Sequence, residues 1–220
     1  MDVSVVIVSY NVSGLLRRCL ESVFRSLERA ALESEVLVVD NASSDGSGEM
    51  VRSSFPGVRL IQNQANRGFA AATNQGLTQS RGRYILLLNP DTEVLGDAPT
   101  RLTAFLESHP RAAMVTGQLL NADGTLQQGA FRFPNLWMSF FDFFPVHHRL
   151  AGSRLNGRYP LDDMGPFEID HPLGACMMVR RDVVEQVGLL DEAFFIYCEE
   201  IDWCMRIKRA GWHIYCLPQA

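Results

Sequence analysis

The stretch Tyr84-Ile-Leu-Leu-Leu-Asn-Pro-Asp91 decides the fold, because five apolar or aromatic residues are followed at once by polar ones. An unbroken apolar run predicts a strand that is covered on both faces, as in a parallel sheet flanked by helices. Residues 3–8 form a second apolar run near the start of the chain, in which Ser4 is the one polar residue. Because ligands of such sheets bind outside the carboxyl ends of the strands, Asp91 is placed where a site is expected.

Strand and helix patterns alternate over the first 118 residues, which predicts parallel βαβ units. Strands are predicted at 3–8, 36–39, 58–61 and 84–88, and a further strand from Val115. Helices are predicted from Asn11 or Ser13 to about 28, over 69–79, and from Asp97 and Pro99 onward. Residues 121–124, Asn-Ala-Asp-Gly, predict a tight turn.

The second part of the chain is less regular, and residues 131–168 show no clear periodicity. Strands are predicted at 175–179 and 213–216, and helices at 181–187 and 199–210, with Gly211 ending the last helix. No repeat or low-complexity linker divides the sequence. It therefore predicts one domain over residues 1–220, with a nucleotide-binding half at 1–118 and an acceptor half at 119–220.

Composition excludes several classes of protein. The 220 residues are 47% hydrophobic, enough for a large core, and the net charge of −5 argues against a nucleic-acid-binding protein. The sequence contains no run of 18 apolar residues, so no membrane span is predicted. The five cysteines form no CxxC pair, which favours a reduced cytosolic setting over disulfides or a zinc site.

Three carboxylates, Glu199, Glu200 and Asp202, lie in the first turn of a predicted helix. Acidic residues there offset the helix dipole, which is a sufficient structural explanation. The alternative is a catalytic base, because the preceding Phe194-Phe-Ile-Tyr-Cys198 is strongly apolar and such surroundings raise a carboxyl pKa. The residues alone leave both interpretations open.

For several polar residues after the first strands, the sequence likewise allows both a functional and a purely structural interpretation. Asp40 could accept hydrogen bonds from a nucleotide, or residues 40–45 could form only a turn and helix cap. Arg67 could meet a phosphate, or the small residues after it could serve only to pack a helix. Asp91 could bind Mg²⁺ or Mn²⁺, which often uses one or two carboxylates plus substrate phosphates, or could belong to a simple turn. Neither GxGxxG nor GxxxxGK is present.

An aromatic stretch at 131–144 is followed by two histidines and Arg149. Core packing is the ordinary explanation of such a stretch. The alternative is an interfacial helix that makes peripheral membrane contact through residues 131–149.

Taken together, the segments resemble the family 2 glycosyltransferases, especially their rhamnosyltransferase-like branch. The segments that carry the resemblance keep the family's order and spacing. They are Val5-Val-Ile-Val-Ser-Tyr-Asn11, Val38-Val-Asp-Asn-Ala-Ser-Ser-Asp-Gly46, Asn66-Arg-Gly-Phe-Ala70, Leu87-Leu-Asn-Pro-Asp91, Gly174-Ala175 and Gly188-Leu-Leu-Asp-Glu-Ala-Phe-Phe-Ile-Tyr-Cys-Glu-Glu-Ile-Asp-Trp203.

The resemblance implies an α/β fold of the glycosyltransferase A type, with a Rossmann-like, mostly parallel sheet flanked by helices. It also implies an inverting transfer from a nucleotide-diphosphate sugar with Mg²⁺ or Mn²⁺. Asp91 corresponds to the metal ligand and Glu200 to the catalytic base, and Glu199 and Asp202 would support that base or hold the acceptor. The implied nucleotide-binding residues are Ser9, Tyr10, Asn11, Asp40, Arg67 and Asn89, and the implied acceptor or sugar contacts are Gly174, Ala175 and Trp203.

Two features depart from the family pattern. Asn89 stands at the first position of the family's DxD element, and the chain ends at Ala220, before the position of a family His ligand. We therefore expect a chain truncated at its C-terminus. The expected function is transfer of a sugar such as rhamnose to a saccharide or lipid-linked acceptor in bacterial cell-surface polysaccharide synthesis. The expected location is the cytoplasm or the inner face of the membrane. A nucleotidyltransferase and a non-catalytic nucleotide-sugar-binding scaffold are the alternatives.

Overall fold

A computed structural model describes residues 1–136, 138, 157–159 and 165–220. In the described part, the strands are β1 Val3–Ser9, β2 Ser34–Asp40, β3 Val58–Gln62, β4 Tyr84–Leu88, β5 Ala112–Gly117, β6 Leu119–Leu120, β7 Leu126–Gln127, β8 Ala130–Phe131, β9 Phe167–Ile169, β10 His171–Pro172, β11 Cys176–Arg180 and β12 His213–Leu217. The helices are α1 Ser13–Leu27, α2 Ser47–Ser54, α3 Phe69–Gln79, α4 Ala98–Ser108, α5 Arg181–Val187 and α6 Glu199–Arg209.

The central sheet has eight strands in the order β3-β2-β1-β4-β11-β5-β12-β9. The first four strands of that order are parallel to one another, as the alternating sequence predicts. β11 is antiparallel to both β4 and β5, and β9 is antiparallel to β12. The predicted mostly parallel α/β sheet is confirmed, with two antiparallel strands in its second half.

Helices cover both faces of the sheet, which is why the strands are apolar on both sides. On one face, Val5 and Ile7 of β1 pack in a core cluster with residues of α1 and α4. On the other, Val6 of β1 packs with residues of α3, α5 and α6. α3 lies very close to the sheet, since a Cβ added at Gly76 would lie only 2.2 Å from Cγ1 of Val6. The small residues of this helix therefore have a packing role.

Most predicted elements are present, but α2 was not predicted and several elements begin at other residues than expected. α1 begins at Ser13 with Val12 at the cap position and no side-chain capping bond, so the predicted cap by Asn11 or Ser13 is wrong. Asn11 instead has a left-handed backbone (φ 55°) and contacts the neighbouring loop. β5 begins at Ala112, three residues before the predicted Val115, because Ala112 and Ala113 are also fully buried.

Most of the aromatic stretch lies outside the described residues, so the prediction of membrane contact through 131–149 stays a prediction. Phe131 and Phe133, at its start, stack against the ring of His171 with centroid separations of 5.5 and 6.0 Å. These two rings therefore belong to the packed part of the molecule. Among the described residues, no helix is both long and apolar enough to cross a membrane.

Candidate active site

The strand register brings the predicted nucleotide-binding residues to one edge of the sheet. Ser9 at the end of β1 pairs with Asp40 at the end of β2, and Asp40 pairs with Gln62 of β3. Asn89 directly follows β4, whose last residue Leu88 pairs with Ile7. The carboxyl ends of four parallel strands therefore meet here, as expected for an α/β sheet.

The loop after β1 is fastened to the loop after β2. The backbone N–H of Asn11 donates to Ser43 Oγ (2.9 Å), and Asn11 Oδ1 accepts from the Ser44 N–H (2.8 Å). Asp45 Oδ2 accepts from the N–H of Ser13 at the start of α1 (2.8 Å). Asn11 therefore holds the two loops together. Its contact with a nucleotide stays a prediction.

Asp40 is almost completely buried, and both of its carboxylate oxygens have partners. Oδ1 accepts from the Ser43 N–H, and Oδ2 accepts from Gln62 Nε2, each at 3.2 Å. Asp45 in turn accepts from the Ser47 N–H (3.0 Å) at the start of α2. These bonds agree with a turn over residues 40–45, but the cap position of α2 is Gly46, without a side-chain capping bond. Nucleotide binding by Asp40 stays a prediction.

Ser9 and Tyr10 differ sharply in exposure although they are adjacent. Ser9 has no exposed surface, and its Oγ has no hydrogen-bond partner among the described residues. The Ser9 side chain is therefore covered at the end of β1, and the predicted contact of Ser9 with a nucleotide stays a prediction. Tyr10 is exposed and remains available to a ligand.

Arg67 is presented by a network centred on the buried Asn41. Asn41 Nδ2 donates to Asn66 Oδ1 (2.8 Å) and to the Gly68 carbonyl (3.1 Å), and its Oδ1 accepts from the Arg67 N–H (3.0 Å). The backbone around Arg67 is thus held while its side chain is exposed. The guanidinium group makes no hydrogen bond to any described residue and is free to meet an anion.

Asn89 and Asp91 follow β4 and differ in what they bind. The Asn89 N–H donates to the Ala175 carbonyl (2.9 Å), and its carbonyl accepts from Cys19 Sγ (3.6 Å). Burial, together with the charges of Asp91 and Glu93, raises the pKa of Cys19 to about 12, which shows that Asp91 lies near this thiol. The Asp91 side chain is exposed and makes no hydrogen bond or ion pair with a described residue.

A divalent cation fits this arrangement only if the substrate supplies most of its ligands. No group of three or more His, Cys, Asp or Glu side chains among the described residues could hold a metal ion. Asp91 offers one unpaired, hard carboxylate. Mg²⁺ sites often use one or two carboxylates together with substrate phosphates and water, so a single Asp91 is chemically sufficient.

The segment from 188 to 198 is attached to α3 at two points. Asn74, buried within α3, donates through Nδ2 to the Leu190 carbonyl (2.9 Å) and to Glu192 Oε1 (3.0 Å), and accepts from the Leu190 N–H (3.0 Å). Five residues earlier, the Phe69 N–H donates to the Phe195 carbonyl (2.7 Å). The segment that leads into α6 therefore lies against the nucleotide-binding half.

Close approach at Gly68 strengthens the second attachment. A Cβ added at Gly68 would lie 2.6 Å from the Phe195 carbonyl oxygen and 2.8 Å from its ring carbon Cδ2. Gly68 also has a positive φ of 83°, which side chains rarely adopt. Glycine is therefore needed here both for conformation and for space.

The three acidic residues at the start of α6 have three different environments. Glu199 is 4% exposed, and its Oε2 has no partner among the described residues. Burial, with a smaller contribution from the charge of Glu200, raises the pKa of the Glu199 carboxyl. Asp202 forms an ion pair with Arg206 Nε (2.8 Å), whose guanidinium group also donates to the carbonyls of Val187 and Leu189.

Glu200 is the member of this group that remains both accessible and unpaired. It is half-buried and accepts no hydrogen bond from a described residue. Its Cγ lies 4.0 Å from the position of a Cβ built on Gly174, next to Ala175 and the end of β4. Burial lowers the pKa of the nearby His171, and the charge of Glu200 acts against that shift, so the two side chains are neighbours.

The structure contradicts the predicted sugar contact of Trp203. Trp203 is 0% exposed, and its Nε1 donates to the Gly188 carbonyl (2.9 Å), so it is a core residue and offers no surface to a sugar. The predicted rise of a carboxyl pKa in this cluster holds for Glu199, although the side chains of Phe195, Ile196 and Tyr197 are themselves exposed.

Two asparagines, Asn41 and Asn74, were missed as site residues. Both are buried polar side chains that fix the backbone of an exposed loop. The sequence signal for Asn74 is its position among Ala70, Ala71, Ala72 and Gly76, where a buried polar residue needs hydrogen-bond partners. Asn41 follows Asp40 at a strand end, the position where side chains of such sheets meet ligands or neighbouring loops.

Comparison with known proteins finds relatives that are themselves named as sugar transferases. N-acetylglucosaminyl-diphospho-decaprenol L-rhamnosyltransferase of Mycobacterium tuberculosis is 28% identical over 237 residues, covering 98% of this chain and 73% of that protein. Low-salt glycan biosynthesis hexosyltransferase Agl10 of Haloferax volcanii is 27% identical over 217 residues, covering 97% of this chain and 64% of that protein.

Solved structures with the same fold include two glycosyltransferases. Mannosyltransferase PcManGT of Pyrobaculum calidifontis, solved with GDP-Man and Mn²⁺, superposes with a TM-score of 0.69 at 19% identity, over 98% of this chain and 54% of that one. S. aureus TarS gives a TM-score of 0.69 at 17% identity, over 100% of this chain and 36% of that one. The chain thus spans about half or less of these two proteins, and it has the glycosyltransferase A fold.

The family assignment rests on most of the sequence. Residues 4–188 match the family described as Glycosyl transferase family 2, so the match includes the ends of β1 to β4 and stops just before the segment that leads into α6. The chain therefore belongs to glycosyltransferase family 2.

Proposed function

We propose that this protein is an inverting hexosyltransferase that moves a sugar from a nucleotide-diphosphate donor to a hydroxyl group of a saccharide or lipid-linked acceptor. The observation that carries the proposal is the unpaired carboxylate of Glu200 beside Gly174, at the edge that also presents Arg67 and Asp91. An accessible carboxylate at the acceptor side and unpaired charged groups at the donor side are the components that a single displacement needs.

In the proposed reaction, Glu200 accepts the proton of the acceptor hydroxyl. The hydroxyl oxygen forms a bond to the anomeric carbon on the face opposite the diphosphate. The bond between that carbon and the diphosphate oxygen breaks, and the nucleoside diphosphate leaves with the electron pair. One displacement inverts the anomeric configuration, and a positioned base typically contributes about 10²–10⁴-fold in rate.

The donor is proposed to lie over the carboxyl ends of β1 to β4. Tyr10 and Arg67 are exposed there, and Arg67 is the side chain best suited to a phosphate oxygen. Asn11, Asp40 and Asn89 are proposed to fix the loops against which the nucleotide lies. Asp91 would hold Mg²⁺ or Mn²⁺, and the bound cation would stabilise the charge that develops on the departing diphosphate.

The acceptor is proposed to approach over Gly174 and Ala175, since these residues adjoin Glu200 and lack bulk. Glu199 and Asp202 act as positioning residues. Asp202 does so through Arg206, which contacts the segment before α6.

Rhamnose and a diphosphate-linked lipid acceptor are proposed because a relative with 28% identity carries both in its name. Assembly of a cell-surface polysaccharide at the inner face of the bacterial membrane is the corresponding setting. The five cysteines are all free, which agrees with a reducing compartment.

The test is transfer by the purified protein from rhamnose nucleotides of uridine, guanosine and thymidine to a synthetic N-acetylglucosaminyl-diphospho-lipid, with Mn²⁺. We expect product with inverted anomeric configuration, read by NMR coupling constants. A retained configuration would refute the single displacement. A chain that binds the donors but neither transfers nor hydrolyses them would be the non-catalytic scaffold.

A further inference from the structure

Three consecutive large apolar side chains are exposed directly before the catalytic helix. Phe195 is 59% exposed, Ile196 is 52% exposed and Tyr197 is 75% exposed. A group of this kind marks an interaction surface more often than isolated exposed residues do. We call residues 195–197 the aromatic tip.

The fold itself keeps the aromatic tip exposed, because hydrogen bonds hold the backbone on its N-terminal side in place. The Phe195 carbonyl accepts from the Phe69 N–H (2.7 Å), and its ring lies against Gly68. Earlier in the same segment, Leu190 is held by the buried amide of Asn74. A well-anchored backbone therefore presents these side chains to solvent.

The backbone of the tip is also in an unfavourable conformation. Tyr197 and Cys198 both have positive φ angles, 71° and 72°. Such angles are rare in residues with bulky side chains, and strained residues of this kind cluster at functional sites. This turn leads the chain into α6. In the sequence, Tyr197 lies three residues before Glu200.

The charges around the tip select the kind of partner. Between residues 188 and 203 there are five carboxylates and no lysine or arginine. Asp202 is paired with Arg206, and the exposed Arg67 precedes Gly68, which packs against Phe195. The charges near the tip are therefore mixed, and they do not form the basic cluster that an anionic lipid surface attracts. A neutral pyranose ring fits better, because its apolar C–H face can pack on an aromatic ring while its hydroxyl groups meet the carboxylates and the Tyr197 hydroxyl.

We propose that Tyr197, flanked by Phe195 and Ile196, is the platform that binds the pyranose ring of the acceptor and selects for it. This inference rests on the proposed function and adds a specificity-determining residue to it. Glu200 receives the proton of a hydroxyl group, so the sugar that carries this hydroxyl must lie beside the start of α6. Tyr197 is the most exposed aromatic side chain next to that point.

The test measures binding of neutral methyl hexopyranosides with gluco, galacto, manno and N-acetylglucosamine configurations by saturation-transfer NMR. Wild type is compared with Tyr197→Ser, Tyr197→Phe and Leu126→Ser, the last being another exposed apolar residue, on the β6–β7 hairpin. Affinity for UDP, GDP and dTDP with Mn²⁺ is measured on the same samples. Sedimentation with phosphatidylglycerol vesicles is the third measurement.

We expect Tyr197→Ser to weaken binding of at least one hexopyranoside by about tenfold, while Tyr197→Phe and Leu126→Ser stay within about threefold of wild type. Affinity for the nucleoside diphosphate should be unchanged in all variants. Equal hexopyranoside binding in wild type and Tyr197→Ser, or none in wild type, would overturn the inference. So would vesicle binding that Tyr197→Ser abolishes, since the tip would then face lipid.

Failure of the proposed function gives a different result. If wild type binds none of the nucleoside diphosphates, the donor site itself is refuted, and the inference falls with it.

Discussion

The backbone N–H of Phe69 donates a 2.7 Å hydrogen bond to the backbone carbonyl of Phe195. The two residues are 126 positions apart, and each begins or precedes a helix that carries site residues. Phe69 opens α3, directly after Arg67 and Gly68, and Phe195 lies in the segment that leads to Glu200. This backbone contact and the Asn74 hydrogen bonds to Leu190 and Glu192 thus fix the segment before Glu200 against α3, next to Arg67.

Substitution of Gly68 by alanine should disrupt this contact. The backbone of Gly68 (φ 83°, ψ 170°) lies in a region that is essentially restricted to glycine, and it costs a side chain about 1–3 kcal/mol. The added Cβ would also lie within 3 Å of Phe195, and overpacking of this kind typically costs about 1–3 kcal/mol more. We expect Gly68→Ala to lower both the free energy of unfolding and the rate of transfer, measured by urea denaturation and by product formation.

Gly188→Ala is the matched control for this prediction. Gly188 has nearly the same backbone conformation (φ 84°, ψ −179°) as Gly68 (φ 83°, ψ 170°), but a Cβ there meets only Arg206 Nη1, at an ordinary contact distance of 3.9 Å. It should therefore show the conformational cost alone. Equal losses of stability in the two variants would contradict the claim that close packing against Phe195 matters.

The buried amide of Asn74 gives a second prediction. Asn74→Asp removes two donated hydrogen bonds, to the Leu190 carbonyl and to Glu192 Oε1, and places a carboxylate beside Glu192. We expect the free energy of unfolding to fall by about 2 kcal/mol or more. Glu192→Gln should restore part of this loss in the double variant, because an amide can donate to the new carboxylate. Additive losses would contradict the pairing.

The metal prediction concerns Asp91. Affinity for UDP or GDP in the presence of Mn²⁺ should fall by at least about tenfold in Asp91→Asn, a free-energy loss of about 1.4 kcal/mol. EDTA should lower the affinity of wild type in the same way and leave that of the variant nearly unchanged. Glu93→Gln is the control, because Glu93 is already paired with Arg18 (3.2 Å). If EDTA does not change the affinity of wild type, the assignment of Asp91 as a metal ligand is wrong.

Glu200→Gln should separate binding from chemistry. The amide keeps the shape of the side chain but loses its basicity, so kcat should fall by about 10²–10⁴-fold while donor affinity is preserved. Asp202→Asn is the comparison, since it removes an ion pair with Arg206 that is partly exposed and worth about 1 kcal/mol or less. If Asp202→Asn loses more activity than Glu200→Gln, the base is Asp202.

The raised pKa of Glu199 predicts a pH dependence of stability. Burial raises this pKa above the ordinary value of 4.5, so the stabilising contribution of the protonated form is complete below pH 4.5. That contribution is lost as pH rises through the folded-state pKa. Glu199→Gln cannot ionise, so its stability relative to wild type should increase between pH 4 and pH 7, measured by urea denaturation. A difference independent of pH would mean that Glu199 is not desolvated.

Much of the fold follows from sequence because the apolar patterns are strong. The predictions of a strand at 84–88 and of helices at 69–79 and 181–187 match the observed bounds. The antiparallel direction of β11 was not predicted, because its pattern is that of any buried strand and direction depends on the preceding connection. The start of β5 was missed because alanines carry little strand signal.

The site was less predictable than the fold, for a physical reason. Motif positions identify which residues lie at the sheet edge, but exposure depends on packing between distant segments. Trp203 stands in an acidic motif and yet is buried, and Tyr197 stands in an apolar run and yet is exposed. The roles of Asn41 and Asn74 likewise depend on partners that sequence spacing does not reveal.

The position of β11 has a consequence for how the chain reaches its fold. β11 lies between β4 and β5, so the two strands of the first half gain this shared neighbour only after residue 180 has been synthesised. Until then, β4 and β5 each present an open edge, which is a template for association with other chains. We expect a fragment ending at residue 118 to aggregate, and folding of the nascent chain to be slow and late.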